Sequence, residues 1–352
     1  MKNAPDPATM KKTPTIKKGG KSVTTDKTEM ILETEHPSVA IFGCGGCGTN
    51  LVNRFGSDLS DEVDIRIVDT SKSNMVDTPY KTKIIDGNGS GKVRASNLDI
   101  INKYISSEAF EEEEAKDINI VIFSLSGGSG SVIGPLLINE LHRQDKAVVA
   151  IVVAEMTSQL DTENTSKTFM SLESICNSGI YLPVMVFDNS RTRSKVDIVI
   201  GHRLKLLTDF LTSSVFELDK SDKINWLRPD KAIGTPAGVY GIHMAQGKAG
   251  DYSEESGEVL DMPKDHIYDS VAYVSQTPDQ SVSMDSRILY HGIDNQIGDN
   301  TVVGLVGFPI STKFVGLINS KLSKYQSQAA TCAPLGIQTK SVGTNHNSGL
   351  VI

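Results

Sequence analysis

Two rhythms of apolar residues run along this chain. In its first half, short unbroken apolar runs alternate with longer mixed segments, and each run has the length of a strand rather than of a helix. Residues 38 to 43, Val63 to Val68, Ile118 to Leu125, Ala147 to Val153 and Ile180 to Phe187 are predicted as buried strands, with the short apolar pair Ile84-Ile85 between the second and third. Strands alternating with helices in this way predict an α/β fold built on a parallel sheet.

The second rhythm is helical. Ile200, Leu204, Leu207, Leu211 and Val215 recur at three and four residues, and Ile, Val and Leu also fill positions around them. The spacing predicts a long, largely buried central helix from Lys195 to Phe216, about 33 Å long at about 1.5 Å per residue. It runs into Glu217-Leu218-Asp219-Lys220-Ser221-Asp222. Two carboxylates three residues apart can share one face of a turn and act on one water, although Asp and Lys more often mark an exposed polar loop.

Past Pro229, strands are predicted at Ile267 to Val274, Arg287 to His291 and Val302 to Phe308, with a helix near Phe314 to Tyr325. They suggest a smaller α+β C-terminal domain. Polar segments frame these elements: a disordered, lysine-bearing arm over 1–36, an acidic run at Glu111 to Glu114, an acidic loop over 249–265, and a tail over 329–352 whose one charged residue is Lys340. The expected divisions are therefore 1–36, an α/β domain over 37–194, the central helix over 195–217, a C-terminal domain over 218–328, and the tail.

Composition narrows the function. The chain has 352 residues, 38% of them hydrophobic and 22% charged, which is ordinary for a globular protein with room for two cores. No apolar run approaches the roughly 18 to 20 residues of a membrane span, and the N-terminus lacks the apolar core of a signal peptide, so a soluble cytoplasmic protein is expected. The net charge is −8, but the first 28 residues hold seven lysines and two aspartates, leaving a body near −13. An acidic body makes a nucleic-acid groove a poor expectation. Cys44, Cys47, Cys176 and Cys332 are too scattered for a disulfide scaffold, and Cys44-x-x-Cys47 lacks a second ligand pair for zinc.

The chemistry lies in the glycines. Ile118 to Leu125 breaks into Ser126-Gly127-Gly128-Ser129-Gly130-Ser131 and then a helix, the arrangement of a phosphate site with free N–H groups and hydroxyls together. No Lys-Ser/Thr pair follows, so it is not a Walker P-loop. Gly43-x-Gly45-x-x-Gly48, followed by Asp69 about twenty residues later, fits a dinucleotide-binding fingerprint. A third loop, Asp86-Gly87-Asn88-Gly89-Ser90-Gly91-Lys92, reads as turn chemistry on its own. Three such loops at the carboxyl edge of one sheet favour a triphosphate over a pyrophosphate.

Together these residues resemble the tubulin/FtsZ superfamily of filament-forming GTPases over about residues 38 to 325. Gly43 to Asn50 looks like the family's first nucleotide loop, 86 to 91 like its γ-phosphate-sensing loop, and Ser126 to Ser131 like its GGGTGSG signature. Glu217-x-Asp219-x-x-Asp222 resembles the loop by which one subunit supplies acids to the nucleotide on the next, with Glu217 where the family has Asn. The compact length resembles most the prokaryotic and bacteriophage tubulin-like proteins, among them the type that builds a spindle to position phage DNA.

The resemblance implies GTP or GDP with Mg²⁺ as cofactors, and a head-to-tail homopolymer in the cytoplasm of a host cell. It implies no membrane partner. Asp219 and Asp222 would be catalytic, and no protein ligand to a metal is assigned. Gly45, Gly46, Cys47, Asn50, Asp69, Gly89, Ser90, Gly91, Gly127, Gly128, Ser129, Gly130 and Ser131 would hold phosphates and sugar. Glu163 and Lys167 would lie at the ribose, and Asn189 and Asp197 would read guanine; an ordinary i, i+4 helix pair is an equal reading of the first two. The alternatives are a nicotinamide-dependent oxidoreductase using the first loop and Asp69, and a nucleotide-binding structural protein that does not hydrolyse.

Overall fold

The computed structural model describes residues 36–73, 78–85, 87–106, 115–190, 192–213, 217–246, 266–275, 285–293, 301–332, 344–345 and 350–351. The expected basic arm, the acidic run at 111–114, the acidic loop and most of the tail lie outside the described residues.

The expected α/β architecture is present as one ten-stranded sheet. Its strands are β1 (Val39–Cys44), β2 (Val63–Asp69), β3 (Lys81–Ile84), β4 (Ile118–Ser124), β5 (Ala147–Ala154), β6 (Tyr181–Asp188), β7 (Gly238–Gln246), β8 (Tyr268–Ser275), β9 (Ser286–Ile293) and β10 (Val302–Phe308). They lie in the order β3-β2-β1-β4-β5-β6-β7-β10-β8-β9. The ladders from β3 to β7 are parallel, β10 is antiparallel to both β7 and β8, and β8 is parallel to β9. The C-terminal strands therefore extend the first sheet instead of starting a second, through β7 beside β6.

Strict alternation builds a core on each face. Ala147, Val149, Ile151 and Val153 of β5 join one apolar cluster, and Val148, Ala150, Val152 and Ala154 join the other. The first face is covered by α1 (Gly45–Phe55), α5 (Arg193–Thr212) and α6 (Lys220–Leu227). The second is covered by α2 (Leu98–Ser106), α3 (Gly130–Arg143), α4 (Gln159–Cys176) and α8 (Thr312–Cys332). The short α7 (Pro229–Ile233) starts on a proline and stops at Gly234 in the left-handed region, as the missing proline N–H and the absent glycine Cβ allow.

The central helix α5 is shorter at its end than the expected Phe216. It stops at Thr212, where Ser213 turns extended (φ −72°, ψ 127°) and its carbonyl accepts a 2.6 Å hydrogen bond from Lys223 Nζ. A second, unexpected helix then begins: Lys220 to Leu227 is α6, not loop. Its fully buried Trp226 packs edge-on against Phe210, with ring centroids 5.0 Å apart, and donates from the indole to the Gly304 carbonyl at 3.2 Å. Burying an indole with its N–H satisfied locks α6 to β10 and to the end of α5.

Candidate nucleotide site

The carboxyl ends of β1, β2 and β4 open onto a cavity of about 520 Å³. Gly46, Cys47, Asp69, Gly89, Ser90, Gly91, Gly127, Gly128, Ser129 and Gly130 all line it. Two glycines set its shape. Gly45 has φ +65°, and a Cβ there would come within 2.5 Å of the Gly130 nitrogen; a Cβ on Gly128 would strike Ser90. The first and third loops thus each close directly on the loop after β4. Gly45 and Ser131 frame the cavity without lining it: the Ser131 hydroxyl donates back to the Gly127 and Gly128 carbonyls and fixes that loop's curl.

At the head of α3, Ser129 makes no side-chain cap to the helix. Its hydroxyl instead donates to Ser90 Oγ at 3.1 Å and meets Thr70 Oγ1. The first N–H groups of α3 are consequently left to an anion, which the helix dipole favours.

Asp69, at the end of β2, is 2% exposed. Its Oδ1 accepts from the Thr70 N–H at 2.7 Å, while Oδ2 is buried with no hydrogen-bond partner among the described residues. Burial pushes its pKa up, against the lowering effect of the Thr70 and Ser71 N–H donors. The order β3-β2-β1-β4-β5-β6 is also that of a dinucleotide-binding sheet, so topology alone leaves the oxidoreductase alternative standing. The third loop counts against it. The Gly89 N–H donates to the Thr70 carbonyl at 2.6 Å, and Ser71 bridges to Asn88, so this loop is held against the end of β2 and joins Asp69 in lining the cavity, a part that a dinucleotide fold does not require.

Cys47 also lines a neighbouring cavity of about 220 Å³, with Asn50, Glu155, Asn189, Arg193 and Asp197. Burial pushes the Cys47 thiol up to about 12 and the Cys44 thiol higher, so neither is a thiolate near neutral pH. The main chain of Asn189 is fixed by its N–H to the Ala154 carbonyl at 2.8 Å, and its buried Oδ1 has no partner among the described residues. Asp197 lies 3.3 Å from Arg54. Arg193 donates to both oxygens of Glu155 at 2.7 Å. Glu163 and Lys167, on α4, line neither cavity, and Glu163 takes the Gln159 amide at 2.7 Å.

Asp219 and Asp222 are elsewhere. They close a capping box at the start of α6, and the adjoining Lys220 reaches Asp117 at 3.1 Å. Asp117 immediately precedes β4, so the acid pair sits at the amino edge of the sheet whose carboxyl edge carries the cavity. Burial, and then the charge of Asp219, raises the pKa of Asp222. Lys223, fully buried, donates to the carbonyls of Leu211 and Ser213 and ties this loop to the end of α5.

Ser71 in the first cavity and Glu155 and Arg193 in the second were not expected from the sequence, and Asn88 and Lys92 were placed in the third loop without a site role. For Ser71, Asn88, Lys92 and Glu155 the signal available was a position one or two places beyond a strand end or a glycine; Arg193 is the first residue of α5. A larger cavity, about 760 Å³, lies between α4 and the ends of β7 and β10. There Arg287 lies 3.2 Å from Asp269 and Tyr181 donates to Asp269 at 2.9 Å, and no predicted site residue lines the cavity.

A mostly parallel sheet with three glycine loops at one edge, and a central helix leading to acids at the other, defines a tubulin/FtsZ-like fold. No family model matches the chain. It is 27% identical over 259 residues to the phage tubulin-like protein of Pseudomonas phage phiKZ, a match covering 69% of this chain and 76% of that one. With the phage tubulin-like protein of Pseudomonas phage PhiPA3 it shares 28% identity over 193 residues, 53% of this chain and 60% of the relative's length. In structure it superposes on a protofilament of TubZ from bacteriophage PhiKZ and on the phage tubulin PhuZ with GDP. Each has a TM-score of 0.72 at 22% identity, over 90% of this chain and 99% of the other. The resemblance to the tubulin/FtsZ superfamily, and to its phage members in particular, is borne out.

Proposed function

We propose that the protein binds and hydrolyses GTP and polymerises head to tail, each nucleotide being completed by the acids of the next subunit. The observation that carries this reading is the opposition of the two sites. The glycine cradle and Asp219/Asp222 lie at opposite edges of one sheet, joined by the 20-residue α5, about 30 Å of helix. The acids cannot serve their own subunit's cradle, but head-to-tail stacking brings one edge onto the other. Such a heterologous contact does not close and makes a filament. The similar solved structures, a protofilament of TubZ and the phage tubulin PhuZ with GDP, support the assembly and the guanine nucleotide.

In this mechanism the N–H groups at the head of α3 and the 127–130 loop hold the phosphates, and Asn189 and Asp197 hold the base. The orphaned Oδ2 of Asp69 is a buried acceptor suited to a water of a bound Mg²⁺. When bound, that ion supplies neutralising charge to the phosphates. A neighbour's Asp219 and Asp222 orient and polarise the attacking water. Because the relatives are phage proteins, the filament is assigned to the cytoplasm of an infected cell, as the spindle that positions phage DNA.

The test is light scattering with electron microscopy after adding GTP, GDP, ATP or NAD to the purified chain. Filaments with GTP, and none with ATP or NAD, are expected. A labelled chain in infected cells should form filaments that end at the phage DNA.

A further inference from the structure

Lys92 is one of two non-glycine residues with positive φ among those described, at +65°. It is also the one lysine or arginine among the described residues that line the phosphate-side cavity, where Asp69 already contributes a carboxylate. A triphosphate, carrying about four negative charges, therefore meets a single protein cation there.

The main chain of Lys92 is pinned to the cradle: Asn164 Nδ2 donates to the Lys92 carbonyl at 2.9 Å and to the Ser126 carbonyl at 3.0 Å. Its side chain is not pinned in the same way. It is 57% exposed, and Nζ rests 2.8 Å from Oδ1 of Asp161, in the first turn of α4. Lys92 is the partner of Oδ1, while the other oxygen of Asp161 has donors of its own. Its Oδ2 accepts from the Ser158 hydroxyl at 2.6 Å and from Thr157 at 3.4 Å. A cation on a fixed backbone, leaning on a carboxylate that has other donors, is free to exchange that partner for a stronger one. The pair is open to water on the lysine side, with Asp161 itself buried, and a charge-assisted bond to a phosphate is the stronger partner for the ammonium.

We propose that Lys92 leaves Asp161 for the terminal phosphate when a triphosphate fills the cradle, and is the residue by which this chain tells a triphosphate from a diphosphate. The proposal rests on the guanine-nucleotide reading above and adds to it the identity of the reading cation and the partner it abandons.

The test is the equilibrium affinity of the full chain for GDP and for a slowly hydrolysed GTP analogue, below the concentration at which scattering appears. It compares wild type, Lys92→Gln, Lys92→Arg and Asp161→Asn. Lys92→Gln should weaken the triphosphate analogue about tenfold or more and GDP no more than about twofold. Lys92→Arg should recover part of the loss. Asp161→Asn, which frees Lys92 without removing it, should leave triphosphate affinity unchanged or tighter. Equal weakening of both nucleotides by Lys92→Gln and Asp161→Asn would mark the pair as a prop for α4 and overturn the proposal, as would wild-type triphosphate affinity in folded Lys92→Gln. A wild-type chain that binds neither nucleotide would remove the guanine-nucleotide reading itself, and this inference with it.

Discussion

Asp219 and Asp222 bind each other's main chain: the Asp222 N–H donates to Asp219 Oδ1 at 2.8 Å, and the Asp219 N–H donates to Asp222 Oδ2 at 3.3 Å. The reciprocal box starts α6 and holds two carboxylates on one turn, each with an oxygen left over. The residues assigned to hydrolysis thus also hold their own helix, and a substitution must separate the two roles.

Asp222→Asn separates them. The amide oxygen still accepts from the Asp219 N–H, so the thermal midpoint should stay close to wild type, whereas Asp222→Ala loses half the box at about 0.5 to 1 kcal/mol. Both should bind GTP normally and hydrolyse it at least about tenfold more slowly. Loss of GTP binding by folded Asp222→Asn would place the residue in its own subunit's pocket.

Asn189 and Asp197 should give selectivity for guanine. A buried Asn189 Oδ1 without a partner suits a base that offers a donor, and leaving such a group unmatched costs about 1 to 3 kcal/mol. GTP should therefore bind at least about tenfold more tightly than ATP, and Asn189→Ala should narrow the ratio. Competition binding with GTP, ATP and NAD checks this; equal affinities for GTP and ATP would remove both residues from base recognition.

The strands and glycine loops were legible because each depends on a local pattern. An unbroken apolar run is a buried parallel strand wherever it sits, and Gly45, Gly128 and Gly130 are needed where backbones approach. The strand β7 was not legible. Gly238 and Gly241 dilute its apolar pattern, and it is a strand because β6 and β10 flank it. The end of α5 was hidden for a similar reason. Val215 keeps the helical rhythm, but Lys223, ten residues beyond Ser213, takes the Ser213 carbonyl where the chain turns away. Within the site, Lys92 and Arg193 were missed because an exposed lysine or arginine beside a loop has no pattern of its own until the fold shows what it faces.

Lys223 should make stability depend on alkaline pH. Burial lowers its pKa from 10.5 to about 8, against the opposing charge of Asp219. Between these values the unfolded chain holds a proton that the folded chain has released, so this residue's contribution rises with pH from about 8 to about 10.5. In Lys223→Met that rise is absent. The stability difference, wild type minus variant, should increase by up to about 3 kcal/mol between pH 7 and pH 10 in paired urea unfolding. Parallel pH profiles for the two proteins would contradict the assignment.

The central claim is that one GTP site needs two subunits. GTP hydrolysis per subunit, followed together with light scattering over a dilution series, tests it most directly. Monomers should bind GTP and barely hydrolyse it, and specific activity should rise from near zero at the same protein concentration at which scattering begins. Activity per subunit that stays constant down to concentrations where scattering shows only monomers would contradict the shared site.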